Sequence, residues 1–186
     1  MVMEKNKLYQ VRFGGTGGQG VIKASSILGD ALAIEGYNVL QTQSHGIEVR
    51  GGASCGEVLY SLSEVNKLNV TTSDILLALC PAAITTYAGK TNPGSMIIYD
   101  SHTITEPVCC DGRAVYCAPF TEIARQELGG TRNVNLISLG FVCALSKAVS
   151  KDSLYEALAT QLPKGLENNW KAVLRGYEEA EKQGLI

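Results

Sequence analysis

The chain has no uninterrupted apolar stretch of the roughly 18 residues needed to cross a bilayer, and no apolar run follows its charged start, MVMEKNKLYQVRF. Those absences argue against a membrane partner and against a secretory leader, so the cytoplasm is the expected compartment. Cysteine is present but unpatterned. Cys55, Cys80, Cys109, Cys110, Cys117 and Cys143 form no Cys-x-x-Cys pair, so neither a ferredoxin-type cluster nor a zinc ribbon is encoded locally. They read as reduced, small apolar residues, with a metal or redox role for the adjacent Cys109 and Cys110 as the alternative. Basic runs are also missing. With a net charge of −2 and no cluster of Lys and Arg, the chain offers no electrostatic track for nucleic acid. Charged residues make up only 18% of its 186 residues, which predicts that part of the surface is buried against another subunit.

Several catalytic signatures are absent as well. No Gly-Lys-Ser/Thr follows the glycines, so the chain carries no nucleoside-triphosphate loop. No Gly-x-Ser-x-Gly elbow accompanies its two histidines, which leaves a hydrolase triad unsupported. A nicotinamide or flavin dehydrogenase needs an acidic residue at the end of the second strand to hold the ribose. Here that end reads Gln41-Thr42-Gln43-Ser44.

What is present is a dense glycine loop. Residues 11–20, VRFGGTGGQG, run from a β-prone stretch into Val21, Ala24, Leu28, Ala31 and Leu32, which share one face of a helix. Gly15, Gly17 and Gly20 fit Gly-x-Gly-x-x-Gly. The first is expected to turn the chain with φ above zero, the second to let an anion approach the backbone, and the third to let helix pack on strand. Free N–H groups and the positive end of the helix dipole favour phosphate or carboxylate there. The loop residues Gly15, Thr16, Gly17, Gly18, Gln19 and Gly20 are therefore candidate ligand contacts.

The second dense feature is SHGIEVRGG at residues 44–52, following the second strand. Arg50 offers a fork for carboxylate or phosphate, Glu48 can orient it or accept from a ligand, and Gly51 and Gly52 open the approach. Ser44 flanks the loop, and His45 is able to titrate near neutrality. An ion pair bracing a bent loop is the alternative. Asp100-Ser101-His102 stands at another strand end, either as a rim of the same crevice or as a hydrogen-bonded turn.

Strands are predicted at residues 8–13, 37–43, 53–61, 74–79, 95–99 and 114–117, with a turn at Asn92-Pro93-Gly94. The first helix and its two flanking strands form a parallel unit with a right-handed crossover. Helices follow Pro81 and Pro119, and the last third is helical: a buried helix within 134–149, one capped by Asp152, and one with Leu166, Trp170, Val173, Leu174 and Tyr177 on its apolar face. The predicted fold is α/β: a Rossmann-like, open, mostly parallel sheet with helices on both faces and a helical C-terminal third, in a single domain over residues 1–186.

Taken together, GGTGGQG at residues 14–20, the Ser44 to Gly52 loop, Asp74 with its apolar strand, Tyr99-Asp100-Ser101 and Arg132-Asn133 resemble the gamma subunit of 2-oxoacid:ferredoxin oxidoreductases. The likeness runs over nearly the whole chain, and the long second loop looks most like the 2-oxoglutarate branch rather than the pyruvate or 2-oxoisovalerate ones. The resemblance implies a share in converting a 2-oxoacid, coenzyme A and oxidised ferredoxin to acyl-CoA, carbon dioxide and reduced ferredoxin. Thiamine diphosphate, magnesium and iron–sulfur clusters would reside in partner alpha, beta and delta subunits, the last ferredoxin-like. The chain lacks the thiamine signature, since Asn168-Asn169 has no correctly spaced Gly-Asp-Gly upstream. It would serve as a cover near the active site, with no catalytic residue of its own and no activity alone. The glycine loop and Arg50 would meet either coenzyme A phosphates or the alpha chain. The alternatives are a self-contained dinucleotide-binding oxidoreductase, a ligand-sensing module, and an indolepyruvate oxidoreductase small subunit.

Overall fold

A computed structural model describes residues 7–44, 53–108 and 111–186. The chain runs β1 (Tyr9–Thr16), α1 (Val21–Ile34), β2 (Asn38–Ser44), β3 (Ala53–Ser61), β4 (Ser73–Ala78), α2 (Pro81–Tyr87), β5 (Thr91–Asp100) and β6 (Ala114–Ala118). It then continues through α3 (Phe120–Glu127), α4 (Val134–Ser146), α5 (Lys151–Gln161) and α6 (Leu166–Lys182). The six strands form one sheet in the order β2-β3-β1-β4-β5-β6, in which β3 alone runs against the others.

The sheet is mostly parallel, as expected, but the first unit is built differently. β1 and β2 point the same way, yet β3 lies between them and pairs antiparallel with both. The burial pattern explains the insertion. Cys55, Val58, Leu59 and Tyr60 of β3 are apolar toward both faces and must be covered on both, whereas the half-polar β2 suits an edge.

Helices lie on both faces, unevenly. Tyr9, Val11 and Phe13 of β1, Tyr60 of β3 and Ile75 and Leu77 of β4 pack into one large core with α1, α3, α4, α5 and α6. The opposite face carries Arg12, Gly14 and Ala78 and is met by the two-turn α2, whose Ala83 would sit 2.7 Å from a Cβ at Gly14.

Within the helical layer α4 is buried almost throughout, and it crosses α6 at two glycines. A Cβ on Gly140 would stand 2.0 Å from the Val173 carbonyl oxygen, and one on Gly176 would stand 2.0 Å from that of Ile137. Glycine is needed at both positions for backbone to meet backbone.

Two local expectations change. Asn92-Pro93-Gly94 lies inside the extended run of β5, where the pairing with β4 slips between Ser73 and Ile75 and Gly94 takes φ 74°. The α5 cap is Ser150, whose hydroxyl accepts from the Ser153 N–H at 3.1 Å. Asp152 sits in the first turn instead.

Candidate functional site

The glycine loop joins the carboxyl end of β1 to the start of α1, and its conformation is fixed from inside by one amide. The Gln19 Oε1 atom accepts from the Thr16 N–H at 2.7 Å, and its Nε2 donates to the Leu79 carbonyl at 2.9 Å. Leu79 in turn donates its N–H to the Gly14 carbonyl. Thus the loop is stapled to the end of β4 as well as to its own strand.

The glycines serve different needs from those read off their spacing. Gly15 is part of β1, with φ outside the left-handed region. What it requires is space, because a Cβ there would meet Val21 at 2.7 Å and Gln19 at 2.8 Å. Positive φ occurs instead at Gly18 and Gly20, at 89° and 71°. Gly17 and Gly18 face open space, as the second position of the motif was expected to do. Gly20 packs closely against α4 rather than β1, and a Cβ on it would stand 2.6 Å from Asn135 Nδ2.

Asn135 is a site residue that motif reasoning missed. Its Nδ2 donates to the Gly20 carbonyl at 3.1 Å, while its buried Oδ1 has no hydrogen-bond partner among the described residues. The available signal was a lone amide in the otherwise small and apolar α4.

Among the described residues the first turn of α1 has no side-chain cap and no acidic residue, so its N–H groups are open to an acceptor from outside them. They open onto a cleft of about 330 Å³ lined by Thr16, Gly17, Gly18, Gly20 and Ser54, among others. Ile22 also borders a second cleft of about 240 Å³, between α1 and β2, lined by Ser25, Ser26, Gln41, Thr42 and Gln43. Among the described residues neither lining contains a charged side chain. The space therefore suits an anionic group at the loop and a neutral polar group beside it.

The second motif springs from the same edge of the sheet. Thr16 pairs with Ala53 and Ser44 with Cys55, so the strand ends that carry residues 45–52 stand beside the glycine loop. His45, Glu48, Arg50, Gly51 and Gly52 lie outside the described residues. Beneath their strand ends is a buried polar cluster that the motifs did not signal. Arg12, 4% exposed, donates through Nε to Glu57 Oε1 at 2.8 Å and through Nη2 to the Val70 carbonyl at 2.6 Å. Its guanidinium lies 4.8 Å from the centre of the Tyr87 ring. The other Glu57 oxygen accepts from the Thr42 hydroxyl at 2.9 Å.

Burial, reinforced by the Glu57 carboxylate, pushes the Cys55 thiol up to about 11, and burial alone pushes Cys143 up to about 12. Both favour the protonated thiol, the opposite of what a metal or cluster ligand requires. Cys109 and Cys110 lie outside the described residues.

Asp100 belongs to a hydrogen-bonded turn. It is fully buried and accepts from the His102 N–H at 3.1 Å and from the Thr121 hydroxyl, tying the end of β5 to the start of α3. His102 is exposed, with Nε2 3.1 Å from Arg125. A larger depression, about 460 Å³, lies at the far end of α1, away from the glycine loop. Two of its ionic groups are already engaged: Glu35 accepts from the Ser150 N–H at 2.7 Å, and Lys151 lies 4.6 Å from the centre of the Tyr177 ring. The glycine-loop clefts are therefore the better candidate.

Known proteins resemble this chain in sequence and in fold. Residues 10–179 match the family model described as pyruvate ferredoxin/flavodoxin oxidoreductase. The 2-oxoglutarate synthase subunit KorC of Methanocaldococcus jannaschii is 36% identical over 176 residues, covering 93% of this chain and 94% of that protein. A keto/oxoacid ferredoxin oxidoreductase gamma subunit from Geobacter sulfurreducens superposes with a TM-score of 0.83 at 32% identity, over 94% of this chain and 99% of the other. The 2-oxoglutarate:ferredoxin oxidoreductase from Magnetococcus marinus, solved with 2-oxoglutarate, coenzyme A and succinyl-CoA bound, gives a TM-score of 0.85 at 26% identity. That match covers 96% of this chain and 32% of the longer one.

Proposed function

The chain belongs to the pyruvate ferredoxin/flavodoxin oxidoreductase family, and from that premise we propose that it is the gamma-type subunit of a 2-oxoglutarate:ferredoxin oxidoreductase whose glycine loop receives a phosphate of coenzyme A. Residues 1–186 act as one domain of a larger enzyme. The Methanocaldococcus relative supports the 2-oxoglutarate assignment, and the Magnetococcus enzyme, in which the corresponding region is about a third of one chain, supports coenzyme A as the ligand.

The chemistry is divided accordingly. Thiamine diphosphate supplies carbanion stabilisation when bound, and with magnesium and the iron–sulfur clusters it belongs to alpha, beta and delta partners that pass electrons to ferredoxin. Among the described residues no three His, Cys, Asp or Glu side chains gather to hold a metal, and Cys55 and Cys143 are enclosed with their thiols protonated. Its own residues bind and orient. The first-turn N–H groups of α1 attract a phosphate oxygen, the Thr16 and Ser54 hydroxyls at the cleft are able to donate to it, and Gly17 and Gly18 leave room for it. Gln19 and Asn135 hold that backbone in place before the ligand arrives. Arg50, from the neighbouring loop, adds a fork for a second phosphate oxygen, with Glu48 orienting it. The described end of β2 carries no acid for a ribose, which disfavours a self-contained NAD enzyme.

The observation that carries this reading is the first turn of α1, uncapped among the described residues, opening onto a cleft that no described charged side chain lines. Gly17→Val tests it, since a Cβ there meets nothing within 4 Å and the branched side chain would stand in the cradle. The assembled enzyme should show a KM for coenzyme A raised at least tenfold, with the KM for 2-oxoglutarate unchanged. Unaltered use of coenzyme A would overturn the assignment, as would an unaltered affinity in the Arg50→Ala enzyme for the role of that side chain.

A further inference from the structure

At the end of the sheet opposite the glycine loop, β4 and β5 fall out of register. Ser73 pairs with Thr91 and Ile75 with Met96, so the single residue Asp74 faces the four residues from Asn92 to Ser95. Such a bulge takes surplus backbone out of the ladder, and Gly94 turns it through φ 74°. A cavity of about 100 Å³ lies against it, with Tyr60 of β3 and Ser95 of the bulge among its walls. Both carry buried hydroxyls. Tyr60 is 0% and Ser95 4% exposed, and neither Tyr60 Oη nor Ser95 Oγ has a hydrogen-bond partner among the described residues. Burial pushes the Tyr60 phenol up, so that oxygen keeps its proton. Two enclosed hydroxyls left without partners would weigh against the fold.

We propose that this cavity is a hydration site built into the fold, in which ordered waters link Tyr60 Oη to Ser95 Oγ and so tie β3 to the bulged start of β5. The walls select a small neutral molecule. Lys7 and Asp74 bring opposite charges to the same lining, so neither sign is favoured in an occupant. Both carboxylate oxygens of Asp74 already accept, one from the Gln10 N–H at 2.8 Å and the other from Asn92 Nδ2 at 2.9 Å, and Lys7 Nζ lies 4.9 Å from the centre of the Tyr9 ring. A hydroxyl donates and accepts, and its complement must do the same. At roughly 30 Å³ per molecule, the volume accommodates about three waters, each with polar neighbours within the cavity.

A crystal structure of the full-length chain, at a resolution that shows ordered solvent, tests the site directly. Water should stand within about 3.2 Å of each hydroxyl, in a continuous hydrogen-bonded path between them. Thermal unfolding supplies a second reading whose sign separates a wet cavity from a dry one. If waters satisfy the phenol, Tyr60→Phe should lower the Tm, whereas removing an unsatisfied hydroxyl should raise it. Ser95→Ala should also lower the Tm, and the double variant should lower it by less than the sum of the two, because both hydroxyls hold the same waters. A dry cavity, a different molecule within it, a direct bond from Tyr60 Oη to a protein atom, a raised Tm for Tyr60→Phe, or additive shifts would each overturn the proposal.

Discussion

Asn135, near the start of α4, donates its side-chain N–H to the carbonyl of Gly20, 3.1 Å away and 115 residues earlier in the chain. The C-terminal helical layer thereby holds the residue that begins α1, at the point where the chain turns through φ 71°. Asn135→Ala should lower stability by about 1 kcal/mol, the net value of one such hydrogen bond, partly offset because the unpartnered Oδ1 leaves with it. In the assembled enzyme the KM for coenzyme A should rise while 2-oxoglutarate use stays close to wild type. Urea unfolding and steady-state kinetics read the two effects separately.

The crossing of α4 and α6 sets a second expectation. Gly140→Ala drives a methyl to 2.0 Å from the Val173 carbonyl, so the helices must move apart at a cost of roughly 1 to 3 kcal/mol. Gly89→Ala, where an added Cβ meets nothing and φ is not left-handed, should stay within about 0.5 kcal/mol of wild type. Equal midpoints of thermal unfolding for the two variants would show that the crossing is not tight.

The Arg12–Glu57 pair, 4% and 15% exposed, should behave as a unit. Glu57→Leu leaves a buried guanidinium without its carboxylate and should cost about 3 to 5 kcal/mol. Arg12→Met combined with Glu57→Leu should cost less than Glu57→Leu alone, because no charge is then stranded. A double-mutant cycle by urea denaturation measures this coupling.

The enclosed thiol of Cys55 gives a pH dependence with a definite sign. Its pKa is raised in the folded chain from an ordinary 9.0 to about 11, so the fold favours the protonated form. The associated stability is complete below about pH 9 and is lost as pH climbs toward 11, where the unfolded chain alone ionises. Cys55→Ala should therefore show a shallower alkaline decline than wild type in denaturation midpoints measured between those limits.

Much of the fold is legible in the sequence because its elements are locally consistent. The apolar DILLAL run becomes the interior β4, Pro81 and Pro119 introduce helices, and the continuous small apolar pattern of 134–146 becomes the enclosed α4. What escapes is relational. That β3 separates β1 from β2 depends on which strand can bear two covered faces, a competition decided by Leu59 and Tyr60 against Gln41 and Gln43. The site shows the same division. The glycine motif was readable from its spacing, and its neighbourhood with the strand ends of the second motif was expected from a carboxyl-edge placement. The partners that give it shape, Asn135 and Leu79, lie 115 and 60 residues from the loop atoms they touch, and no local pattern marks them. Gly15 shows the limit of spacing, which does not distinguish a glycine required for its torsion from one required for its emptiness.

The uncapped start of α1 has a consequence for specificity over evolutionary time. Its attraction comes from the peptide framework, so exchanging one neutral side chain for another among the residues described around it leaves the sign of the charge it prefers unchanged. Substitutions can obstruct the entrance or resize the neighbouring recess, changing which molecule is admitted. Only a new carboxylate at the entrance, or loss of the helix itself, would remove that bias.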